Sequence, residues 1–546
     1  MTEPGKTRGA KKIEAIEPSA WRLSPRICAL ILCLILAVFI FIRVRLRSLP
    51  LERDEGEYAY AGQLILQGIP PYKLVYNMKL PGTYAAYAVF LLLFGQTPSG
   101  VHLGLVVVNT ATTILMFFLG KRLLGEIAGL VAAAAYALLS CGTEILGLQA
   151  HATHFVVLAA LAGLLLLTAE RRLINLFLAG TLFGVAFVMK QPAMFFGMFA
   201  ALYIAVSDWQ SKQPKGKTLV RIAVLVTGAA LPFAITCLVL LRCGVFARFW
   251  FWCFDYARAY VSMTPPAEGL KSLIEIVPKI IGPSVGVWAL AVAGALTFGW
   301  DKPLPGRAAF CFGLLVFSFL AVCPGLYFRP HYFILMLPAV ALFAALGVST
   351  VTNILLRERR GALLAALPVV VFVGAFCYSL VAQSDIFFIK DPSAVSRSLY
   401  PGEPFDEAPV VSEYIRGNSD SGMRLVVLGS DPEIYFYSQR HSATGYIYTF
   451  PLGDDGEYAK RMEAEMMAEV EAARPEYVVL EPAGWVMPGY RGAQDRLEWV
   501  RGFVASYRLV GVVDEVSEGR SEFHWDEEAR AYTPRNGLLY VFRKKT

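Results

Sequence analysis

The chain has 546 residues, of which 56% are apolar and only 17% are charged. Soluble globular proteins average about 45–50% apolar and about 25% charged residues, so this composition excludes a single soluble domain and a disordered chain. The charge is also divided, because residues 1–381 carry 32 Lys and Arg against 16 Asp and Glu, whereas residues 382–546 carry 18 against 27. An apolar body with an acidic end excludes a nucleic-acid binder and predicts a polytopic α-helical membrane protein with a soluble C-terminal domain.

Stretches of membrane-spanning length recur along the first part of the chain. About 20 apolar residues cross the hydrocarbon core of a bilayer, and a tilted or shielded helix can be shorter. Eleven segments fit this description, at 27–46, 101–119, 126–142, 149–168, 173–189, 192–206, 219–241, 278–299, 308–326, 331–349 and 361–381. Basic residues precede the first segment and no small-residue cleavage site follows it, which indicates an uncleaved anchor. We therefore predict a cytoplasmic tail at 1–26, a transmembrane domain at 27–381 and a soluble domain at 382–546.

The cations of the short loops predict the orientation of this transmembrane domain. Placing the N-terminus in the cytoplasm puts five cation-bearing loops on the cytoplasmic side, as the positive-inside rule requires. These loops contain Lys121/Arg122, Arg171/Arg172, residues 212–217, Lys302/Arg307 and residues 357–360. An odd number of crossings then places the soluble domain outside, and we predict a multi-pass protein of a bacterial-type plasma membrane.

Two segments need a separate interpretation under this topology. The apolar stretch 83–94 lies between Pro81-Gly82 and Gly95, and its twelve residues are typical of a re-entrant or interfacial segment. If it crossed the membrane, every later loop would change sides and the cation pattern would reverse. The basic run 43–47 falls on the outer side, and we interpret it as side chains that reach the lipid headgroups.

The predicted outer face collects most of the unusual polar side chains. They lie in the first outer loop, 47–100, and at the ends of later crossings, and they are Asp54, Glu55, Glu57, Tyr58, Lys79, His151, His154, Lys190, Gln191, Arg258, Arg329 and His331. Ionisable groups at membrane depth are costly to keep there. A functional site is therefore the first hypothesis for such a cluster.

Each of these residues also has a plain structural interpretation. Charges that follow an anchor helix are often simply solvated, Lys79 could mark an interfacial turn, and Lys190 and Arg329 could reach lipid headgroups. His151 and His154 stand three residues apart on one helical face and could bind a metal. No third ligand is evident in the sequence, so hydrogen bonding at the helix end is the favoured role for these histidines.

Together, these residues suit the cleavage of a glycosyl–phosphate bond at the membrane surface. Cations would hold the departing phosphate of a lipid carrier, and a carboxylate would take a proton from the attacking hydroxyl or amine. A carboxylate beside a cation stays ionised easily. The sequence has no P-loop and no GxGxxG motif, which argues against a nucleotide substrate.

Three motifs resemble those of the GT-C glycosyltransferases, in particular the family of dolichyl-phosphate-mannose protein mannosyltransferases and aminoarabinose lipid A transferases. Residues 54–59, DEGEYA, resemble the DE-x-x-YA signature of the family's first outer loop. Residues 68–82 contain GIPP and KLPG, which resemble the family's Gly-x-x-x-Pro turn and Lys-Pro-Pro motif, with glycine in place of the second proline. Residues 329–338 begin RPHYF and end in Leu-Pro, which resembles the family's (R/H)-Y-x-x-x-x-x-P helix start.

The resemblance covers residues 50–350 in order and implies a fold, a reaction and residue roles. It implies an inverting transfer of a sugar from a polyprenyl-phosphate carrier to a protein, lipid or glycan, with Asp54 as the base or acceptor-orienting group. We predict that Glu55 assists Asp54 and that Lys79 holds the carrier phosphate. Further candidates are Lys190, Arg258, Arg329 and His331 for the phosphate, and Glu57, Tyr58, His151, His154 and Gln191 for substrate contacts. Asp54 with Glu55 could also bind a divalent ion, the one cofactor that the sequence leaves open.

The soluble domain is predicted to be α/β. A buried strand at 425–429 leads into a helix that starts at 431–435, a long acidic helix follows at 455–473, and a second strand lies at 475–480. Alternating helices and strands predict a small open parallel sheet. The sequence shows no nucleophile elbow or ligand cluster here, and we expect this domain to serve in acceptor recognition or docking.

Two functions of other classes fit part of these observations. A polyprenyl-linked lipid flippase or other transporter would also span the membrane, but internal repeats and mid-membrane charges are typical of transporters, and neither is evident. A non-catalytic scaffold for envelope enzymes would not need aligned carboxylates and cations. The favoured prediction is a membrane glycosyltransferase whose partners are the bilayer, a polyprenyl-phosphate-linked sugar and an extracytoplasmic acceptor, and not nucleic acid.

Overall fold

The computed structural model of the protein describes residues 23–297, 305–453, 457–485, 493–517 and 519–545. Most of the predicted cytoplasmic tail and the predicted cytoplasmic cation Lys302 lie outside the described residues. The membrane body is helical, with α1 (Pro25–Arg45), α2 (Arg53–Leu66), α3 (Pro81–Phe94), α4 (Pro98–Leu124), α5 (Glu126–Ser140), α6 (Ala152–Leu167), α7 (Leu173–Met189), α8 (Met194–Gln210), α9 (Lys215–Arg242), α10 (Phe246–Trp250), α11 (Ala257–Tyr260), α12 (Pro266–Ile281), α13 (Val285–Leu296), α14 (Pro305–Val322), α15 (Leu337–Arg357) and α16 (Ala362–Ala382).

Helices coincide with all eleven predicted crossings. In the described part of the chain, seven helical stretches are long and apolar enough to span a bilayer, at Pro25–Arg45, Pro98–Leu124, Gln191–Gln210, Lys215–Arg242, Pro266–Leu296, Pro330–Arg357 and Ala362–Ala382. Shorter apolar helices accompany them at Pro81–Phe94, Glu126–Ser140, Ala152–Leu167, Leu173–Met189 and Arg307–Val322. The predicted polytopic helical body is confirmed, and the orientation of its ends stays a prediction.

Helix α15 lies at the centre of this body. Its residues are buried continuously from Leu337 to Thr350, and it packs against α5 and α13. The helices α9 and α16 instead expose apolar side chains such as Leu238, Leu363 and Val370. Apolar side chains on an outer surface are what lipid-facing helices require, so buried helices are surrounded by lipid-facing ones.

In the basic run 43–47, predicted to reach the lipid headgroups, Arg47 is exposed but Arg43 and Arg45 bind backbone carbonyl groups. The buried Arg43 guanidinium donates to the carbonyl oxygens of Ser140 at 2.9 Å and Gly147 at 3.0 Å. Arg45 donates to the carbonyl oxygen of Lys390 at 2.5 Å. Carbonyl groups at helix ends and in loops lack intrahelical partners, so these cations bind backbone instead of lipid and join α1 to its neighbours.

The predicted first outer loop, 47–100, is partly helical. Glu52 caps α2 by accepting a hydrogen bond from the backbone N–H of Glu55 at 3.0 Å. The 14 residues of α3 span about 21 Å at the usual helical rise, less than the hydrocarbon thickness of about 30 Å. Its first turns are buried while Leu92 and Leu93 near its end are exposed, an arrangement that supports a re-entrant or interfacial segment.

The long loop between the seventh and eighth predicted crossings is also largely helical, in α10, α11 and α12.

The C-terminal domain is α/β with one six-stranded sheet. Its elements are α17 (Pro392–Leu399), α18 (Ala408–Gly417), β1 (Arg424–Leu428), α19 (Glu433–Ser438), β2 (His441–Ser442), α20 (Glu457–Ala473), β3 (Tyr477–Leu480), α21 (Pro482–Trp485), α22 (Ala493–Val504), β4 (Tyr507–Ser517), β5 (Arg520–Trp525), α23 (Asp526–Ala531) and β6 (Gly537–Lys544). The strand order is β2-β1-β3-β6-β4-β5.

This sheet is mixed, which corrects the predicted all-parallel sheet. Strand β1 pairs in parallel with β2 and β3, whereas β6 pairs antiparallel with β3 and β4, and β4 pairs antiparallel with β5. Only two residues separate β4 from β5. Such a short connection is available to antiparallel neighbours but not to parallel ones, which need a long crossover.

The C-terminal domain packs directly on the first outer segment. Helix α19 lies against α2 at Gly56, where a Cβ atom would be only 2.6 Å from the Cβ of Glu433. The Tyr60 ring stacks on Tyr435 with centroids 5.2 Å apart, and the Tyr60 hydroxyl accepts a hydrogen bond from the backbone N–H of Ser442 at 2.7 Å. The sheet domain therefore forms one packed unit with the helix that carries the signature carboxylates.

Candidate active site

Asp54 lies where α2, the loop after α2 and the C-terminal domain meet. Its Oδ1 atom accepts hydrogen bonds from Lys79 Nζ at 2.8 Å and from the Tyr448 hydroxyl at 3.0 Å. Burial alone would raise the pKa of Asp54, but the charge of Lys79 lowers it below its ordinary value. The carboxylate is therefore held ionised, which is the state that a general base requires.

Lys79 is fixed by its backbone as well as by its side chain. Its carbonyl oxygen accepts hydrogen bonds from the Tyr72 hydroxyl at 2.7 Å and from the Cys253 thiol at 3.3 Å. Its Nζ donates to Asp54 and, at 2.9 Å, to the Tyr58 hydroxyl. The motif that resembles Lys-Pro-Pro thus brings its cation directly to the signature carboxylate.

Lys190 is a second cation near Asp54 and Lys79. The packing of α3 against α7 brings it there. Gly82 lies against α7, where a Cβ atom would be 2.4 Å from the carbonyl oxygen of Val188, so this position cannot easily hold a larger residue. Lys190 ends α7, and its Nζ lies 4.2 Å from the centre of the Tyr332 ring. Burial, and then the charge of Lys79, lowers the pKa of Lys190 to about 7.

Two histidines face the other oxygen of Asp54. The Oδ2 atom lies 3.9 Å from His151 Nδ1 and 4.0 Å from His331 Nε2, and the two imidazole rings stack with centroids 4.1 Å apart. Burial lowers the pKa of His151 to about 4, so this ring is neutral near neutral pH. Neither ring nitrogen of His151 has a hydrogen-bond partner among the described residues.

These three side chains could hold a divalent ion. One ligand atom from each of Asp54, His151 and His331 lies within 4.8 Å of the others. A carboxylate with two neutral imidazoles suits a transition metal such as Zn²⁺, Mn²⁺ or Fe²⁺, and the unpartnered nitrogens of His151 fit that role. This set differs from the pairs considered from the sequence, because His331 joins His151 in place of His154, and Glu55 is not part of it.

Glu55 points away from Asp54 into the protein interior. Its Oε1 atom accepts a hydrogen bond from the backbone N–H of Ala150 at 2.6 Å and lies 3.1 Å from His102 Nε2. His154 is also fully buried, on α6, and none of its described contacts reaches Asp54. Through these contacts, Glu55 connects α2 to α4 and to the start of α6.

Glu57 is buried next to the Lys79 loop. Its carboxylate accepts a hydrogen bond from Asn77 Nδ2 at 2.8 Å and another from the Tyr84 hydroxyl. Burial raises the pKa of Glu57 to about 7, although the charge of Lys79 opposes this rise. This side chain therefore exchanges a proton near neutral pH beside a predicted phosphate-binding cation.

The remaining predicted site residues lie around this centre. Gln191 donates from Nε2 to the carbonyl oxygen of Met78 at 2.8 Å and so supports the Lys79 loop. The Arg329 guanidinium lies 5.8 Å from the centre of the Tyr327 ring. Arg258 lies on α11, and among the described residues its side chain makes no contact with the signature carboxylate.

Two aromatic residues of this site were missed from the sequence. Tyr332 lies beneath Lys190 and belongs to the segment that resembles the family's helix start, so that motif could have indicated it. Tyr448 belongs to the C-terminal domain and has no recognisable motif around it. Only the packing of α19 on α2 brings it to Asp54.

The comparisons with known proteins agree with this architecture. The sequence profile of the dolichyl-phosphate-mannose-protein mannosyltransferase family matches residues 79–236, which include Lys79, His151 and Lys190. None of the curated proteins compared matches the sequence.

Several solved structures share the fold. ArnT from Cupriavidus metallidurans bound to undecaprenyl phosphate superposes with a TM-score of 0.59 at 13% identity, covering 95% of this chain and 98% of that one. Arabinofuranosyltransferase AftD from Mycobacteria gives a TM-score of 0.53 at 13% identity, covering 97% of this chain and 40% of that one. The archaeal oligosaccharyltransferase AglB from Archaeoglobus fulgidus, in complex with an inhibitory peptide and a dolichol-phosphate, gives a TM-score of 0.50 at 12% identity, covering 93% and 75%.

The family profile covers the segment that contains both lysines of the site, and the shared fold extends over nearly the whole chain. These findings support the resemblance to the GT-C glycosyltransferases that the motifs indicate.

Proposed function

We propose that this protein transfers a sugar from a polyprenyl-phosphate carrier to an acceptor on the extracytoplasmic side of a bacterial-type plasma membrane. The observation that carries the proposal is the ionised Asp54 in direct contact with Lys79, with Lys190 close enough for the charge of Lys79 to lower its pKa. A base next to two cations is what glycosyl transfer from a phosphate leaving group needs.

The chemistry follows from the charges at these positions. The carrier phosphate would bind Lys79 and Lys190, with Arg258, Arg329 and His331 as further candidates around it. Asp54 would accept the proton of the acceptor hydroxyl or amine as that group attacks the anomeric carbon. The bond between the anomeric carbon and the phosphate oxygen breaks, and the lysines stabilise the negative charge that develops on the departing phosphate. Attack opposite the leaving group inverts the anomeric carbon.

The fold neighbours support the class of donor. ArnT was solved with undecaprenyl phosphate and AglB with a dolichol-phosphate and a peptide. A polyprenyl phosphate is an amphipathic anion whose headgroup lies at the membrane surface, where the predicted topology places Lys79. The sugar and the acceptor are not specified by these residues, since fold similarity does not name a substrate.

A divalent ion fits the site as a supplement to the lysines. Asp54, His151 and His331 would hold it, and it would supply positive charge against the donor phosphate. The His151 ring is neutral near pH 7 and therefore has a lone pair available for such an ion.

Transfer can be tested with the purified full-length protein in liposomes. Radiolabelled polyprenyl-phosphate monosaccharides would be supplied with extracted envelope acceptors, to the wild type, to Asp54→Asn and to Tyr446→Phe. Tyr446 hydrogen-bonds Glu465 in the same domain as Tyr448 and serves as a matched control. We expect transfer by the wild type and by Tyr446→Phe, and none by Asp54→Asn. Donor that crosses the bilayer without transfer would instead identify a flippase.

A further inference from the structure

Four carboxylates meet where the C-terminal domain packs on α2, next to the proposed transfer site but separate from its residues. Glu403, Asp431 and Glu481 each place an oxygen within 4.8 Å of the others. Glu433 lies next to them on α19, close enough for the charges of Glu481 and Glu403 to act on it. Asp431 and Glu433 are completely buried.

A single cation serves this group in the described part of the chain. Arg53 pairs with Glu403 at 2.6 Å, and its Nε donates to the carbonyl oxygen of Ser430 at 2.7 Å. The rings of Phe450 and Phe405 hold the same guanidinium, with centroids 4.6 and 5.6 Å away. Arg53 thus pairs directly with Glu403, and its one charge also acts on Asp431 and Glu481.

The surroundings of Asp431 indicate where a second positive charge would bind. Its side chain is 0% exposed, and neither of its carboxylate oxygens has a hydrogen-bond partner among the described residues. The neighbouring Glu481 is itself only an acceptor when ionised, so it cannot satisfy Asp431 unless one of the two holds a proton. An unpaired buried carboxylate of this kind is costly and requires a compensating charge.

Two glycines allow the backbone to approach these carboxylate oxygens closely. A Cβ atom at Gly429 would lie 2.6 Å from Glu481 Oε2 and 3.1 Å from Asp431 Oδ2, and a Cβ at Gly484 would lie 2.0 Å from Glu481 Oε2. The backbone N–H of Ser430 also donates to Glu481 Oε2 at 3.0 Å, which fixes that carboxylate. The backbone at Gly429, Ser430 and Gly484 therefore lies directly against the carboxylates of this cluster.

We propose that Glu403, Asp431 and Glu481 bind one divalent cation of the calcium class at the junction between the C-terminal domain and α2. The three ligand carboxylates against one guanidinium leave two negative charges, which one divalent ion would balance. All the ligand atoms are carboxylate oxygens, the donors that hard cations prefer. Ca²⁺ takes about six to eight oxygen ligands in flexible geometry, which suits carboxylates that can each supply two.

The site would connect the C-terminal domain to the proposed active site. Arg53 directly precedes Asp54 on α2, and Gly56 contacts Glu433 one turn later. A cation that holds Asp431 and Glu403 in place would therefore also keep α2 seated on α19. This inference depends on the fold and on the charge cluster, and it does not rest on sugar transfer.

The test is cation binding by the full-length protein in detergent after dialysis against EDTA. Equilibrium dialysis with radioactive Ca²⁺ should give one ion per chain at saturation that is competed by Tb³⁺, and Trp485, on the helix that follows Glu481, should sensitise Tb³⁺ luminescence. Saturating Ca²⁺ should raise the Tm by roughly 5 °C or more. An unchanged Tm in millimolar Ca²⁺, with no bound ion, would overturn the proposal and leave protons as the compensating charge.

Two variants of the cluster and two control variants test where the cation binds. Asp431→Asn and Glu481→Gln should both abolish the Ca²⁺-dependent rise in Tm, and without Ca²⁺ their Tm should not fall below that of the wild type, because each removes one uncompensated charge. His151→Ala tests the alternative site at Asp54, and Glu498→Gln removes an acidic residue of the same domain outside the cluster. Both controls should keep the rise. A rise that persists in Asp431→Asn and Glu481→Gln but disappears in His151→Ala would contradict this location.

Discussion

The Tyr448 hydroxyl donates a 3.0 Å hydrogen bond to Asp54 Oδ1 across 394 residues of sequence. Lys79 donates to the same oxygen at 2.8 Å, so the C-terminal domain and the membrane body hold one carboxylate between them. The C-terminal domain thus contributes a side chain to the proposed transfer site, beyond the acceptor recognition or docking expected from the sequence.

Tyr448→Phe should reduce transfer without abolishing it. Hydrogen bonds to charged groups contribute about 1.5–3 kcal/mol, so we expect kcat to fall by about tenfold to a hundredfold. The initial rate at saturating donor measures this change. Tyr446→Phe loses a comparable hydroxyl contact, to Glu465, and should retain the wild-type rate. Equal rates for Tyr448→Phe and the wild type would show that the contact with Asp54 has no part in catalysis.

Donor binding should weaken as the pH rises through 7. Lys190 has a pKa of about 7 because burial and Lys79 disfavour its charge, so above that pH it loses the proton that attracts the phosphate. The KM for the donor should therefore increase by about tenfold per pH unit above pH 7.

Lys190→Arg tests whether the titration of Lys190 causes this pH dependence of donor binding. Arginine stays protonated across this range, so the pH dependence should become shallower. Glu57 also has a pKa of about 7 and gains negative charge near Lys79 as the pH rises, so Glu57→Gln isolates its share. An unaltered pH profile in Lys190→Arg would exclude Lys190 as the titrating cation.

Gly82→Ala should destabilise the contact between α3 and α7. A Cβ atom there would lie 2.4 Å from the Val188 carbonyl oxygen, and overpacking of this kind costs about 1–3 kcal/mol. Thermal unfolding in detergent measures the change. Gly374→Ala on α16 is the matched control because no atom lies within 4 Å of its added Cβ, and its Tm should stay at or above that of the wild type.

Glu55→Gln should impair stability more than catalysis. Glu55 is fully buried and accepts from the Ala150 N–H next to His102, and breaking a buried pair costs about 3–5 kcal/mol. We expect a lower Tm with a near wild-type transfer rate per folded molecule. Asp54→Asn should lose transfer and should also have a lower Tm, because it leaves the buried Lys79 without its carboxylate partner. If Glu55→Gln keeps its Tm and loses transfer, Glu55 assists Asp54 as the sequence predicted.

The sequence predicts the parts of this site that lie close together in the chain. Asp54 and Lys79 belong to one outer segment, and their motifs anticipate a contact that the structure places at 2.8 Å. The crossings are visible because a bilayer requires long apolar helices, and the topology brings His151, Lys190 and His331 to the same face.

Features decided by long-range packing could not be predicted in this way. Tyr448 reaches Asp54 only because Gly56 allows α19 to approach α2, and no local pattern reports that approach. Arg43 at a helix end resembles an interfacial cation until its carbonyl partners are known. The prediction of an all-parallel sheet was wrong because the strands after residue 506, β4, β5 and β6, were not recognised.

The most direct test of the account separates donor binding from transfer in two variants. Binding of a radiolabelled polyprenyl-phosphate sugar and single-turnover transfer would be measured for the wild type, Asp54→Asn and Lys79→Met. We expect Asp54→Asn to bind the donor at least as tightly as the wild type but not to transfer the sugar, because Lys79 is freed while the base is lost. Lys79→Met should lose donor affinity. Wild-type transfer by Asp54→Asn, or undiminished donor binding by Lys79→Met, would contradict the roles assigned to these residues.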